Sequence, residues 1–286
     1  MYDLIVIGGG PAGISAAIYA KRANLNVLVL YTMESQLLKA HKIDNYYGFV
    51  NGISGQELYN NGIGQAQNLG VHLVNEEVTD IAGGDGEFVV KTFTNEYQAK
   101  SVVIATGNKK IKPDIKGIDE YEGRGISYCA ICDGFFYRNK KIAVIGNGRY
   151  AISEANDLKN IAAEITILTN GEKMAEDSGY IVKTAKISEI SGDDGRVSKV
   201  IFEDNTELPV DGIFIAIGQA GGGDFAKKLG ILMENGNIQT DENMETNIKG
   251  IYVCGNLAGG LLQVNKAAYE GAVAGLAAVK YVKSSK

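Results

Sequence analysis

The feature that most limits what this chain can fold into occurs twice: an apolar strand that runs into a glycine-rich turn opening a helix. Leu4-Ile5-Val6-Ile7 leads to Gly8-Gly9-Gly10-Pro11-Ala12-Gly13, an amphipathic helix from Ile14 to about Ala23, and a second buried strand from Val27 to Leu30. Ile142 to Ile145 leads likewise to Gly146-Asn147-Gly148-Arg149-Tyr150-Ala151, a helix from Ile152 to about Asn160, and strand Ile165 to Leu168. Parallel strands require such a crossover, and glycines at the helix start let backbone N–H groups approach a phosphate. The fold class expected is therefore α/β, with two Rossmann-like dinucleotide-binding domains. A chain of 286 residues is long enough for two domains. Its last unit, strand Ile251 to Cys254, turn Gly255-Asn256 and a helix from about Val264 to Val282, is expected to return to the first domain. The second domain is then an insertion, with residues 1–110 and 219–286 forming one domain and 111–218 the other.

The first turn has the fuller context. Gly8-x-Gly10-x-x-Gly13 follows a strand and opens a helix, and Glu34 lies twenty-one residues beyond Gly13, where a carboxylate can bind a ribose. A bare tight β-α turn would also use these glycines; the context favours FAD or NAD. Farther along, Glu87 to Thr94 and Tyr97 to Ile104 read as paired strands, closed by Ala105-Thr106-Gly107 and a basic linker, Asn108 to Pro113. After Leu168 the stretch Thr169 to Tyr180 is irregular, with at most a short helical piece at Glu172 to Asp177. Strands follow at Ile181 to Ile190, Val197 to Glu203 and Gly212 to Ile217, and Gly218 to Gly223 reads as a second linker.

Three cysteines, two of them in Cys129-Ala130-Ile131-Cys132, argue against a structural disulfide framework and for redox or metal chemistry. Zinc needs four ligands, and no second Cys-x-x-Cys or histidine pair accompanies these; His41 and His72 stand alone, and no metal is expected. A dithiol that opens and closes suits the spacing, and the adjacent Asp133 could carry the proton that thiol–disulfide exchange requires. Cys254 lies in an apolar run and reads as core. A net charge of −6 and a pI near 5.2 disfavour nucleic acid or an anionic membrane as partner. No membrane-length apolar run and no signal peptide are evident, so a cytoplasmic location is expected.

These residues together resemble low-molecular-weight thioredoxin reductases along nearly the whole chain. The matching stretches are Gly8 to Gly13, Ala105-Thr106-Gly107, Cys129 to Lys141, Ala216-Ile217-Gly218 and Gly255-Asn256. The resemblance implies FAD held by Gly8, Gly10, Pro11, Ala12, Gly13, Glu34, Gln36, Asn45, Thr106, Gly107, Gly255, Asn256 and Gln263. It implies that Cys132 takes electrons from the flavin, that Cys129 attacks the disulfide of thioredoxin, and that Asp133 manages the proton. It further implies a homodimer with domains that rotate about the two linkers. Asn256 departs from the usual Asp, but an amide still hydrogen-bonds a ribityl hydroxyl.

The second unit departs further. Arg149 and Tyr150 replace small polar residues beside the pyrophosphate. Where the family binds a 2′-phosphate with arginines, this chain reads Thr169-Asn170-Gly171-Glu172-Lys173-Met174, without the bidentate guanidinium such a group needs. The shortened crossover leaves little room for a second helix and a third parallel strand. The closest resemblance in pattern is thus to ferredoxin-dependent flavin thioredoxin reductases, in which FAD collects single electrons and releases two. An acidic ferredoxin would want basic residues, and Lys109, Lys110, Lys112, Lys116, Arg138, Lys140 and Lys141 are candidates. Two alternatives stay open: a flavin-dependent dithiol oxidase using oxygen, and an NAD(P)H-dependent reductase with a divergent site, in which Glu172 receives an NADH ribose.

Overall fold

The computed structural model describes residues 1–107, 113–128, 130–218, 221–234 and 236–284, and of Ile131 and Cys132 the backbone alone. The chain divides into two compact units, Met1–Lys109 with Gly221–Lys286, and Lys110–Ala220.

The first unit is built on a five-stranded sheet in the order Ile251–Val253, Val102–Ile104, Leu4–Ile7, Val27–Tyr31, His72–Asn75, every pairing parallel. Its central strands are continuous apolar runs because both faces are covered, and Leu4–Ile7, Val27–Leu30, Val102–Ile104 and Ile251–Val253 are all buried. Helix Pro11–Arg22 packs on helix Val264–Ser284 at backbone distance. A Cβ on Gly271 would lie 2.1 Å from the Ala12 carbonyl oxygen, and one on Gly275 2.5 Å from that of Ala16. Helix Gly55–Asn68, which the apolar pattern does not announce, starts where Ser54 accepts the Glu57 N–H.

The strand expected from Tyr97 to Ile104 is two strands. Glu96–Ala99 closes an antiparallel sheet with Val78–Gly84 and Glu87–Thr92, while Val102–Ile104 enters the parallel sheet. Between them the buried Ser101 hydroxyl donates to the Gly250 carbonyl at 2.8 Å. The expected linker Gly218–Gly223 ends inside a helix, Gly222–Leu229, because Asp224 reaches back to the Gly221 N–H at 2.9 Å.

The second unit holds another parallel sheet, in the order Ile181–Lys183, Glu164–Leu168, Lys141–Ile145, Gly212–Ile215, Ile126–Ser127. The expected strand Ile181–Ile190 is again two: Ile181–Lys183 joins this sheet, and Ile187–Asp193 pairs antiparallel with Arg196–Phe202, which pairs with Glu207–Pro209. The third parallel strand is therefore present, contrary to expectation. What the shortened crossover lacks is the helix: Thr169–Tyr180 runs in turns and bends, Glu172–Asp177 included. About a dozen residues suffice to return the chain to a parallel register without one.

Candidate functional site

Open parallel sheets bind ligands beyond the carboxyl ends of their strands, where the strand order reverses. In the first unit, the residues expected to hold the cofactor gather at that edge. Gly8, Gly10, Pro11, Ala12 and Gly13 follow Leu4–Ile7, Glu34 and Gln36 follow Val27–Tyr31, Thr106 and Gly107 follow Val102–Ile104, and Gly255 and Asn256 follow Ile251–Val253. Gly8 holds φ +120°, and a Cβ there would lie 2.4 Å from the Ala105 carbonyl oxygen; one on Gly13 would lie 2.0 Å from that of Gly8. Only glycine permits this turn. Gly10 differs, since its Cβ would meet nothing nearer than Ser35 Oγ at 3.8 Å. The open side of the turn is thus over the amino end of helix Pro11–Arg22, where free N–H groups and the helix dipole favour a pyrophosphate. These residues fit a dinucleotide.

The flanking loops meet as well. Asn45 donates from Nδ2 to Gln263 Oε1 at 2.9 Å, and Asn265 donates to the Asn45 carbonyl at 3.3 Å. Thr106 Oγ1 accepts the Gly222 N–H at 3.0 Å. Gly255, at φ +77°, donates its N–H to Glu270 Oε2 at 2.9 Å, and Lys266 Nζ lies 3.0 Å from the same oxygen. Lys266 also donates to the carbonyls of Gly255, at 2.9 Å, and of Gly259. This Lys266–Glu270 pair under the Gly255 turn was not singled out from sequence; an i,i+4 charge pair on the inner face of an alanine-rich helix is the signal that could have found it. Cys254 is fully buried beside it, and burial first, then the Glu270 charge, pushes its thiol up, as a core residue requires.

In the second unit Cys129 lies outside the described residues, and Cys132 falls in helix Ala130–Asp133. Asp133 Oδ2 accepts the Ser127 hydroxyl at 2.6 Å, so the carboxylate is fixed at the end of the edge strand Ile126–Ser127. Burial, and then the Asp133 charge, raises the Tyr137 phenol above its ordinary range. Phe135 and Phe136 stand exposed beside the helix, with the Arg138 guanidinium 5.5 Å from the Phe135 ring centroid. From the facing helix Arg149–Leu158, buried Glu154 accepts the Ala130 N–H at 2.7 Å. Nothing in the sequence marks Glu154, because one acidic residue in a helix carries no signal until burial is known.

The second glycine turn is closed from within. The Arg149 guanidinium reaches Glu176 in the irregular crossover, with Nε 2.7 Å from Glu176 Oε1, and the Ala175 N–H donates to the Asn147 carbonyl at 2.9 Å. Thr169–Tyr180 thus folds back on the turn that would receive a pyrophosphate, and brings a carboxylate there. Of the basic candidates, Lys109, Lys110 and Lys112 lie outside the described residues. Lys116 is paired with Glu189 at 2.9 Å and Lys141 with Glu164 at 3.6 Å.

Residues 2–271 match the model of the pyridine nucleotide-disulphide oxidoreductase family. The thioredoxin reductase of Bacillus subtilis is 33% identical over 302 residues, covering 99% of this chain and 95% of that protein. Among solved structures, the atypical thioredoxin reductase TRi of Desulfovibrio vulgaris Hildenborough superimposes with a TM-score of 0.93 at 35% identity, covering 99% of both chains. A ferredoxin-flavin thioredoxin reductase from Clostridium acetobutylicum gives a TM-score of 0.75 at 34% identity, over 99% of this chain and 98% of the other.

Proposed function

Because the chain belongs to the pyridine nucleotide-disulphide oxidoreductase family, and within it to the FAD-binding disulfide reductases of the thioredoxin reductase type, we propose that it reduces the disulfide of thioredoxin with electrons that do not come from NADPH. The donor we infer is reduced ferredoxin. The observation that carries this reading is the ion pair from Arg149 to Glu176 across the second glycine turn. A dinucleotide there would have to displace a guanidinium–carboxylate bond, and would meet an anion where it needs donors. No arginine in Thr169–Tyr180 awaits a 2′-phosphate.

Bound FAD would supply the exchange between single electrons and electron pairs. The chain's own part is to hold and relay. Gly8, Gly10 and Gly13 would receive the pyrophosphate, Glu34 the ribose, and Asn256 with the Asn45–Gln263 pair the remaining polar edge of the cofactor. The pair Cys129 and Cys132 would carry two electrons to the protein disulfide. Cys129 would attack that disulfide, and Asp133, held by Ser127, would move the proton. The exposed Phe135 and Phe136 with Arg138 offer an apolar, positively charged rim for a protein substrate.

The test is anaerobic. The FAD-loaded protein is mixed with NADPH, NADH or chemically reduced ferredoxin, and flavin bleaching and thioredoxin reduction are followed. Bleaching by ferredoxin, with turnover of thioredoxin, is the expected result; rapid turnover with NADPH would refute the donor assignment. Oxygen uptake driven by a small dithiol, without thioredoxin reduction, would reverse the direction of flow.

A further inference from the structure

The loop of residues 43–53 in the first unit is built to hold two apolar side chains in water. Ile43 and Ile53 close its neck, each donating its N–H to the other's carbonyl, at 2.8 and 3.0 Å. At its tip Tyr46 and Phe49 stack, ring centroids 5.8 Å apart, and pack inward on Leu37, Ile43, Ile53 and Tyr59. The residue after each, Tyr47 and Val50, stands outward at 94% and 99% exposure. A second loop adjoins the first, since Asn45 donates to Gln263 at 2.9 Å and its carbonyl accepts from Asn265 at 3.3 Å. There Leu261 and Leu262 are exposed as well, at 67% and 57%. Single apolar residues on a surface are ordinary, but four on two anchored, adjoining loops mark an interaction surface.

The charge around this surface selects its partner. Residues 36–56 and 255–269 contain three lysines and one acidic residue, Asp44, in a chain of net charge −6. Lys266 is engaged beneath the Gly255 turn, and Asp44 is paired with Lys42 at 2.7 Å. Lys39, exposed at the end of the short helix Gln36–Lys39, leaves the rim positive. A two-fold contact with a second copy would lay this positive rim against itself, whereas an acidic partner meets it favourably.

We propose that these two loops dock the acidic protein that delivers single electrons to the flavin. The proposal rests on the reading that reduced ferredoxin is the donor. Asn45, Gln263 and Asn256, which that reading gives to the cofactor, lie on the same two loops, so a protein seated here stands beside the flavin. Two donor molecules each give up one electron, and with two protons from water they account for one disulfide opened to two thiols. Electron-transfer encounters use small interfaces, so four apolar side chains and a positive edge suffice. The rim of Phe135 and Phe136, offered above to the protein substrate, belongs to the other unit.

Tyr47→Ser combined with Val50→Ser removes the apolar tip, and Lys39→Glu, made separately, reverses the charge without touching the neck of the loop. The FAD-loaded proteins are mixed anaerobically with reduced ferredoxin or with dithionite, and flavin bleaching is timed. Ferredoxin should bleach the double variant about tenfold more slowly than wild type. Lys39→Glu should be slowed about three- to tenfold at low salt and approach wild type at about 1 M salt, where surface charges are screened. Dithionite, too small to need a docking surface, should bleach all three at one rate. Equal ferredoxin rates in wild type and both variants would overturn the inference and leave the donor reading standing. Two other results would also overturn it. If the photoreduced double variant is slow to reduce thioredoxin, the surface belongs to the protein substrate; if it sediments as a monomer where wild type is a dimer, the surface belongs to a second copy. If ferredoxin fails to bleach even wild type, the donor reading fails, and this inference with it.

Discussion

Replacing Glu270 by Ala tests whether the Gly255 turn is held from beneath. The side chains of Lys266 and Glu270 are only 16% and 11% exposed, and one carboxylate oxygen serves both the Gly255 N–H and the ammonium. Alanine would leave that N–H without its acceptor and the ammonium without its counter-charge. Breaking a buried pair by removing one partner costs about 3–5 kcal/mol. Lys266 retains the carbonyls of Gly255 and Gly259, so the lower end, about 3 kcal/mol, applies. At roughly 2–4 °C per kcal/mol for a domain of this size, Tm falls by about 6–12 °C. Because the same turn carries Asn256, FAD affinity should fall too. Far-UV melts of the apo and FAD-loaded forms, with a flavin fluorescence titration of the apo form, measure both. Lys266→Met alone and combined with Glu270→Ala completes a cycle in which the two losses overlap by more than about 1 kcal/mol. A Glu270→Ala protein that melts within about 2 °C of wild type, or losses that simply add, would refute the argument.

Gly13→Ala puts a Cβ 2.0 Å from the Gly8 carbonyl, so the turn must open, and the purified protein should lose its 450 nm flavin absorbance while keeping its far-UV spectrum. Arg149→Ala with Glu176→Ala removes a half-exposed pair worth less than about 1 kcal/mol of stability. Calorimetry should still find no NADPH binding, since the crossover supplies no arginine; micromolar binding would show that the ion pair alone excludes the nucleotide. Tyr59, buried under Gly9, has its phenol pushed up to about 12, first by burial and then by Tyr31. A group raised on folding stabilises fully below its unfolded value near 10 and loses that contribution as pH rises through 12, a decline of about 2–3 kcal/mol. Chemical denaturation at pH 9 and 12 should show this decline in wild type and a smaller one in Tyr59→Phe; equal declines would assign the alkaline loss to other tyrosines.

The two β-α-β units were legible because each signal is local: an apolar run, a glycine turn and a helix in direct succession. Where a decision depended on which sheet a strand joins, sequence could not make it. Tyr97–Ile104 and Ile181–Ile190 each read as one β segment, yet each is cut by a short irregular break into an antiparallel and a parallel strand. Helix Gly55–Asn68 escaped because it buries little beyond Tyr59 and Ala66 and contains Gly62 and Gly64, which weaken any helical pattern. The Ser-x-x-Glu pattern Ser54-Gly55-Gln56-Glu57, whose Ser54 hydroxyl accepts the Glu57 N–H, was the available sign. The loss of arginines after Leu168 was legible as chemistry. That Glu176 would pair with Arg149 across the second glycine turn was not, because the partner of Arg149 depends on how an irregular segment folds back.

The close contact of Gly271 and Gly275 with helix Pro11–Arg22 also has a consequence for biosynthesis. The helix that packs against the first turn's own helix, and the strand Ile251–Val253 beside Val102–Ile104, are made more than two hundred residues after that turn. The inserted unit has all its strands in hand well before then, and domains fold as units during synthesis. The nascent protein therefore completes its dithiol-bearing unit first, and can enclose a flavin only once helix Val264–Ser284 has been translated.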